Sequence, residues 1–73
     1  MIEPEQWQKN LFTERDELKK KHERLMVFIE SEKFSTLPYG QRSLLLRQSR
    51  AMHDYQLVLS ERILALPRGV NYQ

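Results

Sequence analysis

The sequence predicts an all-α fold: an antiparallel helical hairpin that assembles into a symmetric homo-oligomer. Three observations carry this. Two long stretches place apolar residues at heptad spacing, a short polar run separates them, and the apolar surface of the second stretch is too broad for one partner helix to cover.

The first stretch, about residues 4–31, has Leu11, Leu18 and Leu25 seven residues apart, with Trp7, His22 and Ile29 on the adjoining line. No Gly or Pro interrupts it after Pro4. Its charged run "KKKHER" reads as a solvated face, on which Glu17 precedes Lys21 by the four residues that favour pairing. The second stretch, about 38–66, opens at Pro38, whose missing N–H has no helical partner in a first turn, and is stopped by Pro67 and Gly69. Leu45, Met52, Leu59 and Leu66 form one heptad line, and Leu44, Ala51, Val58 and Ala65 form a second beside it. Leu46, Leu57 and Leu64 widen the surface further. Each helix extends roughly 40 Å at 1.5 Å per residue. The connection at 32–37 is short enough to make them antiparallel neighbours. The residues 67–73 make a short tail.

Composition agrees with this plan. The chain of 73 residues, 40% apolar and 30% charged, makes one domain, 1–73, that is globular in composition. A chain this short buries a small share of its surface, and with no cysteine it has no disulfide to compensate, so association is expected. The start "MIEPEQWQKN" has acids where a signal peptide has positive charge, and the longest aliphatic run is Leu44-Leu45-Leu46. The expectation is a cytosolic protein that does not enter a membrane.

Enzyme chemistry finds no constellation. His22 and His53 lie on different helices without a spaced set of acids, which makes them weak metal ligands, and His53 and Asp54 are adjacent and point about 100° apart on a helix. We expect no catalytic residue, no metal and no cofactor. Arg42, Arg47, Arg50, Arg62 and Arg68 are able to contact phosphates, but a net charge of +2 is a poor footprint for long nucleic acid. The charge is unevenly placed: residues 34–73 hold five Arg and two acids, against seven basic and eight acidic side chains before them. The second half seeks anions.

The polar run itself is the candidate site. Lys33 offers a point charge, Ser35 and Thr36 offer hydroxyls, and the first turn of the second helix offers free backbone N–H groups. Phe34 and Tyr39 supply flat faces for a base, and Arg47 and Arg50 supply guanidinium groups for stacking or paired contacts. This inventory suits a nucleotide-sized anion. The same residues admit a plainer role, in which Phe34 and Leu37 plug the end of the hairpin and Ser35 or Thr36 cap backbone groups.

"LMVFIESEKFSTL" followed by "RSLLLRQSRAMHDYQLVLSERI" resembles the hairpin domain of bacteriophage proteins that counter cyclic-oligonucleotide immune signalling, the anti-CBASS and anti-Thoeris sponges. The resemblance covers roughly residues 11–64 and is carried by Phe28-Ile29, Lys33-Phe34, Leu37, Leu44-Leu45, Arg47-Gln48, Met52, Tyr55, Leu59 and Arg62-Ile63. It is nearer to the anti-CBASS form, because anti-Thoeris members have a further domain. The resemblance implies a hexamer that holds cyclic di- or trinucleotides without cleaving them, in the cytoplasm of an infected bacterium. It also implies pockets between protomers, with Lys and hydroxyl contacts from the interhelix loop. The alternative is a helical interaction module that docks its excess Leu surface on a host or phage protein.

Overall fold

The computed structural model describes residues 5–67 and is all-helical over them. Helix α1 spans Gln6–Ile29, α2 Glu32–Thr36 and α3 Tyr39–Leu64. The proposed helix start at Pro4, and Arg68, Gly69 and the tail from 68 to 73, lie outside the described residues.

Glu5 is extended and precedes α1, and its backbone N–H donates to Gln8 Oε1 at 2.7 Å. That bond accounts for a buried glutamine in the first turn. At the other end the helix closes on Glu30, whose N–H donates to the Met26 carbonyl, while the Ser31 hydroxyl and N–H both reach the Phe28 carbonyl. Ser31 is then extended, and the chain turns.

The connection read from sequence as a loop over 32–37 is mostly helix. Glu32 occupies the first turn of α2, where an acid suits the dipole, and the hydroxyls of Ser35 and Thr36 donate to the carbonyls of Glu32 and Lys33 at 2.6 and 2.7 Å. Leu37 leaves the helix for extended backbone because Pro38 follows it. Pro38 stands just before α3, and its carbonyl accepts from the N–H groups of Gln41 and Arg42. At the far end α3 stops at Leu64, two residues before the expected 66. Ala65 and Leu66 donate to the Glu61 and Ile63 carbonyls, and Pro67 cannot continue the ladder.

Helices α1 and α3 pack along their length, and α2 packs on the end of α1. The result measures 51 × 18 × 15 Å, only two helices thick. The core is correspondingly thin: Leu59 at 0% and Leu11 at 2% exposure are the apolar side chains fully buried among the described residues. Leu44, Val58, Leu46, Leu57 and Leu64 are all exposed. Residues two apart on a helix lie about 200° apart, so Leu44 and Leu46 face different directions. Helix α3 therefore presents two separate apolar flanks, one running through Leu44, Ala51 and Val58 and the other through Leu46, Leu57 and Leu64.

One polar group stands on the seam. His22 is buried; its Nε2 lies 3.0 Å from Ser49 Oγ, and Gln56 Nε2 lies 2.7 Å from its Nδ1. With the Gln56 amide donating to Nδ1, the ring proton sits on Nε2 and donates to Ser49. Ser49 and Gln56 are seven residues apart, so one imidazole ties two turns of α3 and pins the register of the pair. Removing the ring leaves both partners unsatisfied. His22→Ala is expected to lower stability by about 1–3 kcal/mol in a urea titration, and a loss below about 0.5 kcal/mol, the size of an ordinary surface change, would show that the register does not rest on this contact.

Candidate functional site

The seven residues singled out in the sequence fall on two elements. Lys33, Phe34, Ser35 and Thr36 are on α2; Tyr39 opens α3, and Arg47 and Arg50 follow two to three turns later. Lys33 is exposed in the last turn of α2. Among the described residues the ion pair formed is Arg15 with Asp16, at 3.2 Å, so the charges of Lys33, Arg47 and Arg50 are uncommitted.

Phe34 meets Phe28 edge to face, with ring centroids 6.4 Å apart and planes at 88°, and is half-buried at the end of the hairpin. It serves at least as the plug. The Ser35 and Thr36 protons are used on the backbone of α2, so these hydroxyls accept freely but donate to a ligand only by giving up those bonds. Tyr39 is 77% exposed, and the Arg42 guanidinium stands 5.9 Å from its ring centroid. That contact engages a cation and leaves the rest of the ring open.

Arg42 is the residue that sequence reasoning placed only among general phosphate contacts. Its Nε is buried without a hydrogen-bond partner, an uncommon state for a guanidinium. The signal was present, since Tyr39 and Arg42 are three residues apart and share a helix face. Gly40, between them, has open space where a side chain would stand, so no close approach demands a glycine there.

Arg50 lies elsewhere. It lines an open cleft of about 400 Å³ between α1 and α3, whose apolar lining is Met26, Ile29 and Leu46. His22, Ser49 and His53 form its polar side, the two imidazoles being tilted with centroids 6.2 Å apart, and Glu30 and Asp54 complete the rim. No group of three or more metal-ligating side chains occurs among the described residues. Thus the structure gathers Lys33, Phe34, Ser35, Thr36 and Tyr39 at one end of the hairpin, places Arg50 in the cleft alongside, and leaves Arg47 exposed on α3.

These features define a small helical-hairpin protein with an uncommitted cationic end and two bare apolar flanks. A family model, Sequestin, matches residues 5–65, and the chain belongs to the Sequestin family, whose name denotes sequestration. No curated protein and no solved structure matches the chain. None of the described helices is long and apolar enough to cross a membrane.

Proposed function

We propose that the protein is a homo-oligomeric sponge, encoded by a phage, that holds cyclic di- or trinucleotide immune messengers intact in the cytoplasm of the infected host. The observation that carries this reading is the unpaired Lys33 beside two hydroxyls and an open Tyr39 face, at one end of a hairpin that belongs to a family named for sequestration. Lys33 pairs with phosphate, Ser35 and Thr36 accept from ribose hydroxyls or donate to phosphate by giving up their backbone bonds, and Tyr39 or the free part of Phe34 packs on a base. Arg47 and Arg50 serve the ligand or a neighbouring protomer.

Competition with an immune effector calls for nanomolar affinity, about −12 kcal/mol. One exposed helix end offers too little enclosure for that, so the pocket is shared between copies. The two flanks of α3 support the same conclusion, because they give each protomer two directions in which to meet a neighbour. The resemblance implies six copies.

Calorimetric titration with cyclic di- and trinucleotides, with linear dinucleotides as controls, tests the reading. Tight binding of a cyclic ligand, recovered intact after denaturation, is expected. Lys33→Ala should then weaken binding by about 1.5–3 kcal/mol, roughly ten- to a hundredfold; unchanged affinity would remove Lys33 from the site. A well-folded protein that takes up no cyclic nucleotide would shift the flanks to the other role, docking a foreign protein.

A further inference from the structure

Phe34 and Tyr39 are the two rings offered to a base, and the structure treats them unequally. Phe34 is half-buried and already meets Phe28 edge to face. Tyr39, the first residue of α3, is 77% exposed. A ring so exposed samples several rotamers unless something holds it, and fixing it at the moment of binding subtracts from affinity.

What holds it is Arg42. The two residues are three apart on one helix, which puts them on one face, and the guanidinium carbon stands over the Tyr39 ring, 5.9 Å from its centroid. Arg42 is half-buried, and its Nε is buried without an acceptor. Among the described residues no carboxylate pairs with it, the ion pair formed being Arg15 with Asp16. The guanidinium is therefore fixed by packing along its stem, and the group that answers its charge is the face of Tyr39.

We infer that Tyr39 is the base platform of the site and that Arg42 is its positioning residue: the guanidinium seats the ring before a ligand arrives and leaves the rest of the ring for a stacked base. Arg42 itself touches no ligand in this arrangement. The inference rests on the sponge reading and adds to it which ring stacks and what holds that ring.

The test titrates the intact protein with cyclic diadenylate, cyclic diguanylate, cyclic diuridylate and cyclic triadenylate, and carries the tightest of them through a mutant cycle. Tyr39→Ala should weaken binding by about tenfold or more, the loss of one stacked base. Arg42→Gln should weaken it by roughly two- to tenfold, the cost of ordering one side chain on binding, and Arg42→Lys, which keeps a cation able to lie over the ring, should recover part of that loss. In the Tyr39→Ala background Arg42→Gln should add nothing further. A control separates positioning from fraying of the first turn: a side chain at Gly40 meets nothing within 4 Å, so Gly40→Ala steadies that turn without touching the ring, and it should not restore binding to Arg42→Gln. A loss that persists in full without Tyr39, that Arg42→Lys shares in full, or that Gly40→Ala repairs would overturn the positioning role and leave the sponge standing, as would unchanged binding by Arg42→Gln. Absence of binding by the wild type to every ring would overturn both.

Discussion

Val58→Glu is expected to break the proposed assembly into protomers of 8.9 kDa and to abolish cyclic-nucleotide binding in the same step. Val58 is half exposed and lies on the flank of α3 that runs through Leu44 and Ala51, on which α1 does not pack. In a lone hairpin a glutamate there stays in water, and the cost is within about 0.5 kcal/mol. In an assembly that buries this flank the same carboxylate loses its hydration without a partner, at a cost of several kcal/mol repeated at every copy of the interface. The two cases therefore separate widely. Light scattering should show the mass fall to one chain while circular dichroism keeps the helical signal, and calorimetry on that monomer should show no heat with a ligand that the wild type binds. A monomeric Val58→Glu that still binds would refute the shared pocket, and a wild type that is itself monomeric would remove the assembly.

The proposed coupling of assembly and binding rests on how little one protomer encloses. Tyr39 and Lys33 stand exposed at the end of a body two helices thick, and the cleft beside them is open. Charge-assisted contacts gain strength as water is excluded, which a second copy seated on α3 provides. On the proposed reading, the exposed Leu and Val side chains and the uncommitted cations are two aspects of one design, apolar area to bring copies together and charge to meet a ligand between them.

Much of this architecture was legible in the heptad spacing. Leu11 and His22 proved to be seam residues, as their spacings of seven and four residues from Leu18 imply, and the uncovered line of Leu44 and Val58 follows from an apolar arc wider than one helix. Other features have no such period. Helix α2 is five residues long, shorter than any window in which periodicity shows, and its Ser and Thr, ordinary turn formers, here close its own carbonyls. Trp7 sits on the seam line yet is half exposed, with its indole N–H donating to Glu5. The cleft was not legible at all: Glu30 and Asp54 are on different helices, and only the register pinned by His22 against Ser49 and Gln56 brings them to one rim.

The thin core makes one residue disproportionately important. Leu45, Met52, Leu59 and Leu66 occupy equivalent heptad positions, but Leu59 alone of them is completely enclosed. Leu59→Ala removes its transfer energy and leaves a cavity between two helices, a change that costs 2–5 kcal/mol in compact cores, and about 3 kcal/mol is expected where a two-helix body can partly close the gap. A domain of this size has only about 4–11 kcal/mol of stability, so the loss should appear as a fall in melting temperature of roughly 12–24 °C. Assembly adds stability that depends on protomer concentration, so the comparison is made at fixed concentration and again in the Val58→Glu background. There, Leu57→Ala, two residues away and half exposed, should change stability by less than about 0.5 kcal/mol, while Leu59→Ala should keep its full effect. Equal losses from the two substitutions in the monomer would mean that α1 covers α3 over a different face, and with it that the flank assigned to neighbouring copies is part of the hairpin's own core.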